Sequence, residues 1–513
     1  MSFSSVSLQN LVLNELCLIA LEYKFIKKHQ CLIFNINENT NEIHIALYAD
    51  GAPLGLIRAH ILSLYPQAHL CFFNVSKQDF NLQSHRIYLF QRFHSLKNAL
   101  LKQHTNPRHS QTNIDSTNED MCVVALLDFI LLTCIEQKAS DVHFESFVEN
   151  GHSKARIRAR IDGLLQELFC FESDVLSVLS SRLKLECELD ITQTRQSQDG
   201  RFGREFNGLI YDFRLSILPS FGGESLVIRI LSKNTQTITL QSLGFNEKHL
   251  DIISTHISAS QGIILLTGPT GSGKSTTLHA MLESIKSPHK KIITLEDPIE
   301  YHTQLTTQVM INDKYDFGFS KALRALLRHD PDILMIGEIR DKQSLDIALR
   351  ASLTGHLVLS TLHANDSLSV IERLLDMGAQ SYLLASSMRL VLSQRLVRKL
   401  CQHCKVPLPA KVVYNKLSNA NLLHLWKHIQ EGSFFESSGC GHCNGQGFSG
   451  RTLCAEVLPI SPLLYDYIKS PQDKAKILAV LKEMGFKTLL EEGMELLKNG
   501  QSSFEEIYRI CNI

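Results

Sequence analysis

Hydrophobic and polar positions divide the chain into segments with different periodicities. Residues 1–103 mix helical apolar runs, as in Leu11–Phe25, with short alternating runs that predict strands, as in Glu42–Leu47. The polar stretch 104–120 contains a proline and has almost nothing apolar to bury, so it predicts a linker. We therefore expect a small N-terminal α/β domain followed by a linker.

A second unit is predicted over residues 121–240. A helical run, Val123–Gln137, precedes strand-like alternation in Asp141–Glu145 and Ala155–Gly163, and a further helix and two further strands follow. This mixture of elements predicts a compact α+β domain.

Short apolar runs alternate with helical segments in the remainder of the chain. The apolar runs are Ile263–Leu266, Ile292–Leu295, Ile333–Ile336 and Leu357–Leu359. This alternation is typical of a mostly parallel sheet with helices on both faces. We predict an α/β domain over residues 244–513, including a cysteine-bearing lobe at 397–455 and C-terminal helices at 460–513.

A glycine-rich loop follows the first of these apolar runs and precedes a helix-favouring stretch. The loop and the start of the helix comprise Gly268, Pro269, Thr270, Gly271, Ser272, Gly273, Lys274, Ser275 and Thr276. Strand, loop and helix in this order form a phosphate-binding loop, because loop N–H groups and the helix N-terminus then surround a phosphate. Lys274 is expected to reach the β- and γ-phosphates, and Ser275 to place its hydroxyl on Mg²⁺. The alternative is an ordinary Gly/Ser turn, which the full match in this setting disfavours.

An acidic segment follows the predicted strand Ile292–Leu295. It contains Glu296 and Glu300, whose carboxylates could hold Mg²⁺-bound waters or a nucleophilic water. The alternative is a solvated turn in which Pro298 ends the strand. Local sequence does not decide between the two interpretations.

A second acid, Glu338, closely follows the apolar run Ile333–Ile336. This arrangement resembles a Walker B strand, in which the acid polarises the attacking water as a general base. Gly337 stands where many P-loop enzymes carry the Mg²⁺-binding Asp, so Mg²⁺ should depend more on Ser275, the nucleotide and waters. The alternative is an incidental acid at a strand end.

Basic residues and a histidine complete the candidate site. They are Arg214 and Arg229 on predicted strands of the second unit, Arg324 and Arg328 on one helix face, Arg340, and His363. Guanidinium groups stabilise the transition state of phosphoryl transfer, sometimes from a neighbouring subunit. For any single arginine the usual alternative is a surface ion pair, and a lone histidine at a strand end is more often structural.

Composition restricts the class of partner. The chain has 513 residues, 44% of them hydrophobic, and its 52 Lys and Arg balance 52 Asp and Glu. Nothing global therefore favours nucleic acid or an anionic membrane as a direct partner. No apolar run reaches the roughly 18 residues of a spanning helix, and the N-terminus lacks a basic signal-peptide region, so we expect a cytoplasmic protein.

Four of the 13 cysteines form two C-x-x-C pairs, Cys401 with Cys404 and Cys440 with Cys443. Two such pairs can supply four thiolates to one tetrahedral Zn²⁺. The interval between them is longer than in a common zinc ribbon, which predicts a helical insertion at Asn421–Gln430. Redox-active or unpaired thiols are the alternatives, and a reducing cytosol favours the metal.

Four motifs in order resemble those of the secretion and pilus-assembly ATPases, the hexameric P-loop motors of type II secretion and type IV pili. They read GPTGSGKST, TLEDPIE, LRALLRHDPDILMIGEIRD and TGHLVLSTLHAND, and match the family's Walker A motif, acidic box, Walker B motif and histidine box. The stretches SDVHFE, RIRARIDGLL, QDGRF, YDFRLSILPS and GGESLVIRIL look like its second N-terminal domain. The resemblance runs from about Asp120 to about Lys498. The stretch Pro219–Glu224 departs from the family pattern, in which an apolar residue and a histidine are more usual before Gly-Glu.

The resemblance implies a RecA-like ATPase domain preceded by a PAS-like α+β domain and a variable adaptor domain. It implies that Glu338 is the catalytic acid and that Gly337 is normal at its position. It places Glu296, Glu300 and His363 in the acidic and histidine boxes, and the arginines 214, 229, 324, 328 and 340 where family arginines approach the phosphates. It also implies the tetracysteine zinc lobe that is common in assembly motors and absent from retraction motors.

We therefore expect a homohexameric motor that hydrolyses ATP with Mg²⁺, carries Zn²⁺, and drives assembly of a pilus or pseudopilus. Each ATP site is expected between the P-loop domain and the second domain, which ATP would draw together. Residues 1–103 are expected to dock a membrane-anchored adaptor, and an inner-membrane platform protein to receive the motion, with peripheral attachment to the inner membrane. The alternatives are a competence or retraction motor, and a nucleotide-binding scaffold without turnover, against which Lys274 and Glu338 argue.

Overall fold

The structure is a computed structural model that describes residues 4–8, 11, 13–48, 52–104, 115–232, 238–311, 318–469 and 473–511. The chain forms two compact units. The first comprises Met1–Asn234, Cys401–Lys405 and Ser437–Ser449, and the second comprises Thr235–Leu400, Val406–Glu436 and Gly450–Ile513. Among the described residues, no helix combines the length and the apolar character needed to cross a membrane.

The first unit begins with a small three-stranded sheet and four helices. In chain order these are α1 (Glu15–Ile19), α2 (Tyr23–His29), β1 (Cys31–Asn37), β2 (Glu42–Leu47), α3 (Leu54–Leu64), β3 (His69–Asn74) and α4 (Lys77–His104). Strand β2 is central, antiparallel to β1 and parallel to β3. Ile43 and Ile45 of β2 are buried, and Ile57 and Ile61 of α3 belong to the same core. The alternating pattern of β2 is thus explained by one face that packs on a helix.

A six-stranded antiparallel sheet forms the rest of this unit. Its elements are α5 (Asp115–Glu136), β4 (Ala139–Glu149), β5 (His152–Ile161), β6 (Leu164–Glu172), α6 (Ser173–Glu186), β7 (Gln198–Phe206), β8 (Leu209–Ser220) and β9 (Gly223–Ser232), and the strand order is β6-β5-β4-β9-β8-β7. Tight turns with positive φ at Asn150–Gly151, Asp162–Gly163 and Asn207–Gly208 join three of the hairpins. Ala155, Ile157 and Ala159 are fully buried on one face of β5, because side chains alternate between the faces of a strand.

The second unit contains a seven-stranded sheet of order β12-β11-β13-β14-β10-β15-β18. These strands are β10 (Gly262–Thr267), β11 (Ile292–Glu296), β12 (Thr306–Met310), β13 (Ile333–Ile336), β14 (Leu357–Leu362), β15 (Met388–Leu400) and β18 (Phe448–Pro459), and β16 (Val406–Pro407) pairs with β17 (Phe435–Glu436). From β12 to β15 every neighbouring pair is parallel. This confirms the predicted α/β fold class.

Helices on both faces of this sheet explain its uninterrupted apolar runs. The helices of the second unit are α7 (Glu247–Ile257), α8 (Lys274–Ile285), α9 (Phe319–Leu326), α10 (Lys342–Leu353), α11 (Ser367–Asp376), α12 (Ser381–Ser387), α13 (Ala410–Asn419), α14 (Trp426–Ile429), α15 (Pro462–Lys469), α16 (Lys474–Glu483), α17 (Leu489–Lys498) and α18 (Phe504–Cys511). Along β10, Ile263 and Leu265 belong to one hydrophobic core, whereas Ile264 and Leu266 belong to another. A strand buried on both faces needs apolar residues at every position.

The segment between the two cysteine pairs differs in part from the prediction of one helix at Asn421–Gln430. Helix α13 ends earlier, at Asn419, and the predicted range holds a 3₁₀ helix at Leu423–Leu425 followed by the short α14. Asn421 has a φ of 56°, a left-handed conformation that interrupts the helix. Val413 and Ile429 nevertheless pack in one core, so the segment is held by apolar burial.

One buried carboxylate joins two helices of the second unit. Glu456 of β18 accepts hydrogen bonds from the backbone N–H of Ser367 at 2.9 Å and from its hydroxyl at 2.8 Å, at the start of α11. It also accepts one from the backbone N–H of Leu489 at 2.8 Å, at the start of α17. Burial raises the pKa of Glu456, while these donors act in the opposite direction. A single side chain therefore accepts the first N–H of both α11 and α17, beside their N-cap residues Asp366 and Thr488.

Candidate nucleotide site and cysteine cluster

Four candidate segments meet at one edge of the parallel sheet. The phosphate loop follows β10, Glu296 ends β11, Glu338 closely follows β13, and His363 follows β14. These four strands run parallel, so their carboxyl ends lie at the same edge. Ligands of open α/β sheets bind at this edge.

The phosphate loop is held by close backbone packing. Gly268 has a φ of 144°, and a Cβ there would lie 2.5 Å from the carbonyl oxygen of Gln394, so a larger residue is excluded. Gln394 also donates from Nε2 to the carbonyl of Ser272 at 2.8 Å. The buried hydroxyl of Ser272 has no hydrogen-bond partner within the described residues. The loop therefore offers a polar cradle that fits a phosphate.

Lys274 is the first residue of α8 and folds over the loop. Its Nζ donates to the carbonyls of Gly268 at 2.8 Å and Pro269 at 3.1 Å. Burial lowers the pKa of Lys274; the charge of Glu338 counteracts this effect and that of Arg395 adds to it. Lys274 is thus within electrostatic reach of the acid that follows β13.

The exposed tip of the loop and the helix start carry the other predicted ligands. Pro269, Thr270, Gly271 and Ser275 are exposed, so the Ser275 hydroxyl is open to a metal ion. Thr276 instead forms a hydrogen bond of 3.1 Å with the hydroxyl of Tyr301. The Ser275 hydroxyl is therefore accessible to the Mg²⁺ of a Mg²⁺–nucleotide complex.

Glu338 lies at the centre of a charged group. One of its oxygens pairs with Arg340, and the other lies 3.9 Å from Nε2 of His363. The structure thus brings Lys274, Glu338, Arg340 and His363 together from three separate motifs. An acid in this position can accept a proton from water once Arg340 has released it.

The histidine segment is bonded to both neighbouring strands. The hydroxyl of Thr361 donates to the carbonyl of Gly337 at 2.7 Å, beside Glu338. Thr267, the last residue of β10, donates from its hydroxyl to the carbonyl of Ala364 at 2.9 Å and accepts from the N–H of Ala364 at 2.7 Å. His363 is thereby flanked by bonds to the Walker B strand and to the phosphate-loop strand.

Glu296 of the acidic segment is buried, with 4% of its surface exposed. It accepts hydrogen bonds from the Thr294 hydroxyl at 2.7 Å and from Gln308 Nε2 at 3.0 Å, and it lies 3.2 Å from Nε2 of His279 on α8. Burial alone would raise the pKa of Glu296, but the bonds from His279 and Thr294 outweigh it and the pKa is lowered. Glu296 therefore connects β11 to the helix that begins with Lys274, whereas Glu300 is exposed.

The predicted arginines are distributed over both units. Arg324 and Arg328 of the second unit are exposed at the end of α9, and Arg328 donates to the carbonyl of Arg324 at 3.2 Å. In the first unit Arg229 pairs with Asp141 at 2.9 Å. Arg214 lies directly opposite Arg229 on β8, and the next strand places Arg201 opposite Arg214.

Four residues near these groups were not predicted as site residues: Arg201, Gln394, Arg395 and His279. Arg201 lies within the QDGRF motif, but the positions of Gln394, Arg395 and His279 depend on strand register or helix packing. The alternation of β7 and β8 was a second signal for Arg201, since paired positions share a sheet face.

The four cysteines form one cluster in which all sulfur atoms lie within 4.8 Å of one another. The Sγ–Sγ distances are 3.8 Å for Cys401–Cys440, Cys404–Cys443 and Cys440–Cys443. Thiolates about 2.3 Å from a tetrahedral Zn²⁺ are separated by about 3.8 Å, whereas a disulfide needs about 2.05 Å. Backbone N–H groups of Cys440 and Gly447 donate to the sulfur of Cys443 at 3.2 and 3.1 Å, which favours a thiolate. The cluster therefore fits a metal ion.

The parallel sheet and its phosphate loop define a P-loop nucleotide-binding protein. The family model of the Type II/IV secretion system protein matches residues 116–509, and the chain belongs to this family. It is therefore an ATPase of the motor class that serves secretion or pilus assembly.

Curated relatives agree with this assignment. The chain is 39% identical to the type II secretion system protein E of Aeromonas hydrophila over 396 residues, which are 77% of this chain and 76% of the relative. It is 35% identical to the protein of the same name from Dickeya dadantii over 499 residues, 96% of both chains. The type II secretion system ATPase E of Vibrio cholerae is 39% identical over 396 residues, 77% of this chain and 76% of the relative.

Solved structures support the fold. The ATPase DotB of Legionella pneumophila aligns with a TM-score of 0.54 at 20% identity, covering 75% of this chain and 95% of that one. DotB of Yersinia pseudotuberculosis aligns with a TM-score of 0.55 at 21% identity, covering 75% and 93%.

Proposed function

We propose that this ATPase is the homohexameric motor of a type II secretion system, and that it hydrolyses ATP to assemble a pseudopilus. The observation that carries the proposal is the meeting of the phosphate loop, Glu338 and His363 at the carboxyl ends of parallel strands. The type II system is favoured because the similarity to the Dickeya dadantii protein extends over 96% of both chains, including the N-terminal region.

In the proposed binding step, loop N–H groups and the N-terminus of α8 hold the phosphates of ATP. Lys274 exchanges its bonds to the loop carbonyls for bonds to the β- and γ-phosphates. Bound Mg²⁺ would neutralise phosphate charge, and Ser275 would bind the ion through its hydroxyl.

In the proposed hydrolysis step, Glu338 takes a proton from the water that attacks the γ-phosphorus. The bond from the γ-phosphorus to the β–γ bridging oxygen breaks, and ADP and phosphate are the products. Arg340 first releases the carboxylate and then stabilises the charge on the transferred phosphoryl group. His363, beside the same carboxylate, detects whether the γ-phosphate is present.

The finer assignments follow the family resemblance and remain proposals. They are a RecA-like fold for the second unit, a PAS-like fold for residues 121–240, phosphate-directed roles for Arg214, Arg229, Arg324 and Arg328, and a structural Zn²⁺ on Cys401, Cys404, Cys440 and Cys443. Residues 1–103 would dock a membrane-anchored adaptor at the cytoplasmic side of the inner membrane. An inner-membrane platform protein would receive the motion, without direct contact to nucleic acid.

A comparison of turnover and secretion tests this proposal. Purified wild-type protein should release phosphate from ATP, whereas Glu338→Gln should bind ATP and release phosphate at least about a hundredfold more slowly. Glu431→Gln is the matched control, since it neutralises an exposed acid that lies outside the motifs of the site. In source cells that carry Glu338→Gln, enzymes that are normally secreted should stay inside the cells, and surface pili should still be present. Loss of pili with normal secretion would instead assign the motor to a pilus system, and equal turnover of wild type and Glu338→Gln would contradict the catalytic role.

A further inference from the structure

Arg395 is a buried cation beside the phosphate loop, and the motifs above give it no role. It lies on β15 with 5% of its surface exposed. Its Nη1 donates to the carbonyl of Gln394 at 3.0 Å, and its Nη2 donates to the carbonyl of Asn365 at 2.7 Å. In the part of the chain that the structure describes, its hydrogen bonds go to these main-chain carbonyls and not to a carboxylate.

Strand register explains why this side chain reaches two motifs. Strands β10 and β15 are parallel, with Thr267 opposite Ser393, so Arg395 lies alongside the start of the phosphate loop. Its Nη1 is 3.1 Å from the point that a Cβ on Gly268 would occupy. Asn365 is two residues beyond His363. One guanidinium therefore contacts the first turn of the loop and the end of the histidine segment.

The charge of Arg395 is costly where it lies. Arg395 is close enough to Lys274 to help lower the pKa of that lysine. Burial lowers the pKa of Arg395 itself, and the nearby acids Glu456 and Asp366 offset only part of this effect. Two neighbouring cations in a partly dry site favour an anionic ligand, because a buried charge destabilises the fold unless an opposite charge offsets it. Arginine also has more N–H donors than its two bonds use. The site thus gains from a phosphate on the loop.

We propose that Arg395 is a positioning residue for ATP hydrolysis, which holds the phosphate loop and the histidine segment in one geometry. This inference rests on the proposed ATP-binding role of the loop. The histidine segment lies beside Glu338, where the γ-phosphate would be. Loss of Arg395 should therefore weaken binding of ATP more than binding of ADP.

The test compares nucleotide affinities of purified full-length variants. Dissociation constants for ADP and for a non-hydrolysable ATP analogue are measured by displacement of a fluorescent nucleotide. In Arg395→Gln we expect affinity for the ATP analogue to fall about tenfold, the size of one lost hydrogen bond to a charged group, and affinity for ADP to fall less than about threefold. Arg395→Lys keeps the charge and should recover part of the loss.

Arg389→Gln is the matched control. Arg389 lies on the same strand at the opposite end of β10, where its Nε donates to the carbonyl of Gln261 at 3.4 Å. This variant should keep the wild-type ratio of ATP-analogue to ADP affinity.

A merely structural role for Arg395 makes a different prediction. The melting temperature of Arg395→Gln would then fall while the ratio of the two affinities stayed at the wild-type value, and this result would overturn the proposal. If Arg395→Gln does not fold, the proposal is tested by the ratio of ATP-analogue to ADP affinity measured for Arg395→Lys. Both readouts are independent of turnover and secretion, so failure of this proposal is distinguishable from failure of the proposed secretion function.

Discussion

Replacement of Glu296 by glutamine separates support of the phosphate-loop helix from direct participation in catalysis. The buried carboxylate accepts hydrogen bonds from Thr294 and Gln308 and lies in hydrogen-bond contact with His279 of α8. Glutamine has nearly the same shape, but it carries no charge, and one acceptor oxygen becomes an NH₂ group. At least one hydrogen bond to the charged group is then lost.

The magnitude follows from these contacts. A hydrogen bond to a charged group contributes about 1.5–3 kcal/mol, so we expect Glu296→Gln to lower the free energy of unfolding by about 2 kcal/mol. For a domain of this size that corresponds to a fall of about 4–8 °C in the unfolding midpoint. Because the pKa of Glu296 is lowered in the folded state, its contribution is present above the unfolded pKa and is lost as pH falls through the folded pKa.

The assay combines thermal unfolding with steady-state ATP hydrolysis at neutral pH. A positioning role predicts the loss of stability together with a fall in kcat of less than about tenfold, because α8 still begins at Lys274. Glu431→Gln is the control, since this exposed acid lies outside the motifs of the site. An unchanged midpoint together with a fall in kcat of more than about a hundredfold would refute this reasoning and make Glu296 a catalytic residue.

Three further predictions concern other parts of the chain. Lys274→Ala should weaken ATP binding by at least about a hundredfold in fluorescence titration, because the loop loses its cation; an unchanged affinity would contradict the phosphate-loop assignment. Elemental analysis should find about one zinc ion per wild-type chain and markedly less in Cys443→Ser; absence of zinc from freshly purified, reduced wild type would end the metal proposal. Glu506→Gln should destabilise the fold by about 3 kcal/mol in urea at neutral pH, because the buried Glu506 loses the charge that pairs with Arg398 and Arg509. Since the pKa of Glu506 is lowered, that difference should shrink as pH falls through the folded pKa, and a difference independent of pH would refute it.

The parts of the fold that depend on local pattern were predictable from the sequence. The apolar runs Ile263–Leu266 and Ile333–Ile336 are strands of a parallel sheet, because strands covered on both faces need apolar residues throughout. The phosphate loop was predictable because its strand, loop and helix are consecutive in the chain. The C-x-x-C spacing likewise identified the four cysteines as candidate metal ligands, and they form one cluster.

Contacts made by distant segments were not predictable. Gln394 and Arg395 lie beside the loop only because β15 pairs with β10, and no local motif specifies that register. The acidic segment allowed either a metal-binding carboxylate or a solvated turn. The buried bond from His279 to Glu296 belongs to neither interpretation, because it depends on how α8 packs on β11.

Glu456 restricts how the C-terminal part of this ATPase can be exchanged. Its carboxylate is shared between Ser367, just beyond the histidine segment, and Leu489 at the start of α17. A chimaera that takes residues 460–513 from a relative keeps the acid but replaces one of its donors. Such grafts will be tolerated only where the new segment presents a backbone amide at the same point, so the graft boundary matters more than overall similarity.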